Sequence, residues 1–200
     1  MPVRSRTGRR AGGVYTERIF REGTGRNPVH RRGGIMIRRA TVNDIPDLDR
    51  LLYQVAEVHH QGRPDLFKPD AKKYTDEELE AIIADDERPI FVYVDETAND
   101  GDGTVRGTGV TGYAFCVFQR HSGSHALTDI TTLYIDDLCV DETARGGHIG
   151  SKLYRHVLDF AREHGCYNVT LNVWSCNPSA LAFYEHCGLK PQKIGMETIL

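Results

Sequence analysis

The 200-residue sequence predicts a mixed α/β (α+β) fold, with a mostly antiparallel sheet and helices on both of its faces. Three observations carry this expectation. Residues 148–164 place Ile149, Leu153, Val157, Phe160 and Ala161 on one face of a helix. Short apolar runs, such as 89–94 and 130–140, have the length and composition of strands. Between two such runs, Asn99-Asp100-Gly101-Asp102-Gly103 has the turn chemistry of a hairpin, which joins antiparallel neighbours.

The elements follow in order. Met36 to Thr41 reads as the first strand of a domain. Ile45, Leu48, Leu51, Leu52, Val55 and His59 recur at helical spacing, so a first helix spans 43–60. Gly62, Pro64 and Pro69 then break the chain into a loop. Thr75 opens a second helix, because Glu78 three residues on completes a capping box and Leu79, Ile82 and Ile83 give an apolar face. A strand from Pro89 to Val94 turns back through 99–103 into a strand from about Gly107 to Gln119. His121 to His125 is a loop, and a fourth strand covers about 130–140. The 148–164 helix stops at Gly165, a C-cap glycine. Val169, Leu171 and Val173 alternate as a fifth strand. Asn177 caps a last helix with Pro178 at its first position, and Gly188 ends it. Leu189 to Leu200 is strand-like, with a bend at Gly195. No segment repeats.

Composition narrows the class. An apolar fraction of 40% and a charged fraction of 26% are ordinary for a globular chain. No apolar run approaches membrane-spanning length, and the basic N-terminus lacks the apolar core of a secretory signal. The five cysteines are scattered, with no Cys-x-x-Cys pair, which points to a reducing, cytoplasmic setting rather than a disulfide framework. Charge is unevenly spread. Residues 1–35 hold nine Arg against two Glu, a balance of +7; with −3 for the whole chain, the remaining 165 residues carry −10. The composition break sets a domain boundary near Met36, so that 1–35 is a basic, Arg- and Gly-rich extension and 36–200 the domain. The extension reads as weakly structured. It is either a tail for nucleic acid or an acidic partner, or an upstream start before Met36. With only Tyr15 and Phe20 as aromatics, it lacks a stacking platform, so nucleic acid is not the expected partner.

The chemistry-bearing residues lie between Ile135 and Tyr184. Arg145-Gly146-Gly147-His148-Ile149-Gly150 follows a strand and opens a helix, so its free N–H groups suit a phosphate. It is not a Walker A loop, since Arg145 stands where the first glycine is needed, and its glycines do not make the dinucleotide fingerprint. In the strand, Asp136 and Asp137 are adjacent acids in apolar company, and acids are seldom packing residues. Regular alternation puts Tyr134, Asp136, Leu138 and Val140 on one face, with Asp137 and Cys139 on the other. A carboxylate can take a proton from an ammonium, and the Tyr184 phenol can give one to a leaving group.

This order resembles the GCN5-related N-acetyltransferases, over about residues 36–200 and most specifically over 135–189. The loop matches their Gln/Arg-x-x-Gly-x-Gly/Ala pattern at Arg145 and Gly150, with His148 in place of the usual first glycine. Asn177 to Leu189 resembles their fourth motif. The resemblance implies a central sheet of six to seven strands flanked by about four helices. It implies acetyl-CoA as acyl donor, held by the backbones of Leu138, Cys139 and Val140, by Arg145, Gly146, Gly147, His148, Ile149, Gly150 and Ser151, and by Asn177 and Tyr184. Asp136 is the implied general base, directly or through water, and Tyr184 the implied acid. Asp137 is read as structural or as orienting the substrate. The acceptor is an amine, on a small molecule, a peptide or a protein, and the loop with Arg63, Asp65 and Phe67, together with Tyr134, is expected to line its pocket. A homodimer is compatible with the sequence. His59 and His60 are adjacent on a helix and do not face one point, so no metal is expected. The rival reading is a non-catalytic CoA-binding or nucleic-acid-associated protein that acts through its basic arm.

Overall fold

The computed structural model describes residues 35–95 and 109–200. Five strands form one sheet in chain order: β1 (Ile35–Arg39), β2 (Ile90–Asp95), β3 (Val110–Arg120), β4 (Thr131–Val140) and β5 (Asn168–Leu171). β1 to β4 pair antiparallel and β5 runs parallel to β4. The helices are α1 (Ile45–Gly62), α2 (Asp76–Ile83), α3 (Ile149–Glu163) and α4 (Pro178–His186). The mixed architecture is the expected one, and the antiparallel β2–β3 pair agrees with a hairpin, although the 99–103 turn lies outside the described residues. The strand count is lower than expected: five among the described residues, not six to seven. β5 stops at Leu171, short of Val173, and residues 189–200 form no strand. The tail leaves Ile194, Met196, Ile199 and Leu200 exposed. Alternation marks a chain that can be a strand, but a strand also needs a neighbour to bond, and among the described residues the tail has none.

Two cores position the sheet. On one face Leu48, Leu51 and Leu52 of α1 and Leu79 of α2 pack on Val92, Tyr113 and Phe115. On the other, Leu153 and Val157 of α3 pack on Phe91, Ala114, Leu133 and Ile135. Each such fully buried side chain is worth about 1.5–3 kcal/mol. Gly112 lets α3 close on the sheet: a Cβ there would lie 3.1 Å from Ile149 and 3.2 Å from Leu153. The α2 capping box is present, with Glu78 N–H donating to Thr75 Oγ1 at 3.2 Å and Thr75 N–H to Glu78 at 2.8 Å.

Two polar ties hold α1. Arg38 grips the fully buried Asp44 with two bonds of 2.7 and 2.8 Å, and Thr41 adds its N–H and hydroxyl at 2.8 and 3.0 Å. The hydrogen bond to Asp44 raises the Arg38 pKa further. With its lone pairs taken up in this way, the buried carboxylate is compensated. Arg50 of α1 bonds Asp141, just after β4, and the Val110 carbonyl at 3.0 Å. Burial pushes the Asp141 carboxyl up, but bonds from Thr143 and Arg50 more than offset this and hold it below its ordinary value.

Candidate active site

β4 is double-sided only in its first half. β5 pairs with it from Thr132 to Ile135 and then departs. From Asp136 to Val140 the strand keeps β3 on one side, while β5 leaves the other edge unpaired. A backbone edge left open in this way can bond an extended ligand.

Beyond Val140 the chain reaches the glycine turn. Gly146 has φ +88°, a conformation that favours glycine, and a Cβ there would meet nothing within 4 Å. His148 is the N-cap of α3 and also left-handed, at φ 59°. For an L-residue that costs roughly 1–2 kcal/mol, so the turn keeps its shape despite the side chain. The first bond inside α3 runs from Lys152 N–H to His148 O at 3.0 Å, which leaves the amides of Ile149, Gly150 and Ser151 without acceptors in the helix. Gly150 answers to a different demand. A Cβ on it would sit 3.1 Å from the Phe183 ring, so α4 seats against α3 only because Gly150 has no side chain. Arg145 Nε donates to the Val140 carbonyl at 3.4 Å.

α4 brings Tyr184 to β4. The Asn177 side chain accepts from Ala180 N–H at 3.1 Å and from Ser179 Oγ at 2.9 Å, so its oxygen caps this helix. Burial pushes the Tyr184 phenol up, and the nearby charge of Asp137 adds to it. The group is held protonated at neutral pH, as a proton donor must be.

The two acids lie at a defect in the sheet. Phe115 pairs with Asp137 but Cys116 pairs with Ile135, so Asp136 is an extra residue in β4. This bulge corrects the face assignment made from regular alternation. Ile135, Leu138 and Val140 pack together in the α3 core. Asp136 and Asp137 instead meet Tyr74 and Tyr113, which pack in the α1–α2 core. Asp136 accepts from the Tyr74 hydroxyl and from Lys73 Nζ, the latter at 2.8 Å. Asp137 accepts from Tyr113 OH at 2.9 Å. Burial raises the Asp137 pKa to about 6, with Lys73 and Tyr113 opposing it and Asp136 adding to it. Burial also pushes the Cys139 thiol up to about 12, which leaves it inert as a nucleophile.

The acceptor-loop residues gather elsewhere. Arg63 is spanned by two carboxylates, Asp65 at 2.7 Å and Glu197 of the tail at 2.8 Å. Phe67 packs its ring on His59 and on Trp174. Tyr134 OH accepts from Asn172 at 3.0 Å. The expected residues therefore divide into a donor set around the β4 exit, two acids at the bulge, and a loop set tied to the tail and Trp174. Sequence reasoning missed Lys73, Tyr74, Tyr113, Trp174 and Glu197. Lys73-Tyr74 directly precedes the cap residue Thr75, the one local signal; Tyr113 reads as any strand aromatic. Among the described residues no group of three His, Cys, Asp or Glu is placed to hold a metal ion, and no helix is long and apolar enough to cross a membrane.

Comparisons with known proteins show the family and the fold. Residues 53–189 match the Acetyltransferase (GNAT) family. Glucosamine 6-phosphate N-acetyltransferase 1 of Oryza sativa subsp. japonica is 35% identical over 63 residues, covering 32% of this chain and 36% of the relative. The chain thus spans about a third of that relative's length. Thialysine N-epsilon-acetyltransferase of Bos taurus is 27% identical over 154 residues, 77% of this chain and 83% of the bovine one. Among solved structures, a tetramutant of the BH1408 protein of Bacillus halodurans superposes with a TM-score of 0.74 at 30% identity, over 82% of this chain and 99% of that one. Glucosamine-6-phosphate N-acetyltransferase of Arabidopsis thaliana shares the fold, at 22% identity and a TM-score of 0.57, over 82% of this chain and 97% of that one.

Proposed function

Because the chain belongs to the acetyltransferase (GNAT) family, we propose that it transfers an acetyl group from acetyl-CoA to a primary amine by direct attack. The observation that carries this reading is the open edge of β4 from Asp136 to Val140, with free helix amides at one end and two acids at the other. The amides of Ile149, Gly150 and Ser151, with Gly146, Gly147, His148 and the Arg145 cation, suit a pyrophosphate. The backbones of Leu138, Cys139 and Val140 suit the amides of a pantetheine arm, with Asn177 beside it. A donor laid this way ends at the bulge, where it supplies an activated acyl group.

The chain's own groups do the rest. Asp136 takes the proton of the incoming ammonium, directly or through water. Asp137, with its pKa near 6, is charged at neutral pH and adds to the field that attracts a cation. Tyr184 gives a proton to the departing thiolate. No cysteine is required: the Cys139 thiol is protonated and faces the Leu51 carbonyl. The five cysteines are unpaired, in keeping with a reducing compartment. The acceptor is a small-molecule, peptide or protein amine. Glucosamine 6-phosphate and thialysine, named by the relatives, are the first candidates, and a homodimer fits the reading.

The test is CoA release from acetyl-CoA with a panel of primary amines that includes those two. Turnover with at least one is expected. If acetyl-CoA binds by calorimetry but no amine is acetylated, the non-catalytic reading replaces this one.

A further inference from the structure

We propose that Lys73 is an acetyl acceptor in its own chain's site, so that the protein acetylates itself in cis. This rests on the acetyltransferase reading above. Lys73 Nζ lies 2.8 Å from Asp136 Oδ2 and 3.3 Å from the Asp136 carbonyl, at the residue that the bulge leaves unpaired. That is the position where the open edge of β4 ends. A primary ammonium bonded to the expected base is the arrangement a substrate amine must reach before attack. The side chain belongs to the loop ahead of α2, is partly exposed, and lies over the Tyr74 ring at 5.4 Å. An aromatic face and a carboxylate together hold an alkylammonium. Lys73 lowers the Asp137 pKa and the charge of Asp137 raises that of Tyr184, so both groups lie within electrostatic reach of one carboxylate.

The step balances. The Lys73 ammonium gives one proton to Asp136, and its lone pair forms the new C–N bond to the acetyl carbonyl. The C–S bond breaks and the nitrogen loses a second proton. The thiolate takes a proton by way of Tyr184, and one net proton leaves to solvent. Acetylation removes the Lys73 charge and breaks its ion pair with Asp136.

Lys72 is the built-in control. It is the neighbouring lysine, with the same intrinsic chemistry, but its ammonium is held by Asp49 at 2.7 Å and by Asp76. The full chain is incubated with acetyl-CoA and no added amine, and the acetylated residue is located by peptide mass spectrometry. An external primary amine is assayed in parallel by CoA release. Expected are acetyl on Lys73 and not on Lys72, a first-order rate constant independent of protein concentration, loss of the label in Lys73→Arg, and a fall of about 10²-fold or more in Tyr184→Phe. Equal labelling of Lys72 and Lys73, labelling untouched by Tyr184→Phe, or a first-order rate constant that rises with protein concentration overturns the proposal. So does an unlabelled Lys73 beside normal turnover of the external amine, which leaves the acetyltransferase reading intact. Neither labelling nor turnover overturns both.

Discussion

The half proposed to hold the donor, from β4 through α4, and the half proposed to meet the acceptor, the 63–75 loop with the tail, are built from different materials. The donor half rests on backbone: an open strand edge, a left-handed turn, free helix amides and a glycine that α4 needs. The acceptor half rests on side chains that meet from far apart in the sequence, such as Arg63 with Glu197 and Lys73 with Asp136. Backbone features restrict the residues at fixed spacing and leave a motif. Side-chain pairs across a fold leave none.

The largest expected effect lies in the donor half. Tyr184→Phe keeps the ring packed and removes the proposed proton donor, so kcat should fall on the order of 10²–10⁴-fold while acetyl-CoA affinity holds. Near-normal turnover at every pH, with chemistry limiting, would take Tyr184 out of the mechanism. Gly150→Ala comes next. Its Cβ meets Phe183 at 3.1 Å, so the variant should lose about 1–3 kcal/mol of stability and bind donor more weakly, as α4 shifts. Unchanged melting and unchanged calorimetric affinity would show that α4 is free to move.

Asp137→Asn probes the boundary between the halves. A carboxyl with a folded pKa raised from 3.8 to about 6 favours the folded chain most at low pH, and that contribution is lost as pH rises from about 4 to 6. The variant should therefore be more stable than the natural chain at pH 8, by at most about 3 kcal/mol for a shift of this size, and equal to it at pH 4. A difference that persists at pH 4 would mean the gain is not electrostatic. In the acceptor half, Arg63→Ala should alter the KM for the amine several-fold and leave donor binding and melting nearly unchanged, since exposed ion pairs stabilise little. Weaker acetyl-CoA binding would erase the distinction between the halves. The smallest effect is expected from removing residues 1–35, which should leave melting temperature and donor affinity close to those of the full chain. A large fall would place the boundary somewhere other than Met36.

Much of the fold was legible because its signals are local. The α3 stripe, the Thr75–Glu78 box and the Asn177-Pro178 start each need only a few neighbouring residues. The faces of β4 were not legible, because regular alternation fails at Asp136 and only the partner strand reveals the extra residue. The tail alternates like a strand but has no neighbour to bond among the described residues. Within the candidate site, the acids, the turn and Tyr184 were singled out by type and spacing. Tyr113 was not, since an aromatic in a strand carries no mark of the carboxylate it serves.

The grip of Arg38 on Asp44 bears on the order in which the molecule assembles. Its two partners are six residues apart, whereas β1 meets its sheet neighbour β2 only after α1 and α2 have been made. Closing a short loop costs less entropy than closing a long one. The end of β1, the turn and the start of α1 can therefore settle as a local unit while the chain is still being synthesised. β1 then waits beside α1, already oriented, for the strand that completes its pairing.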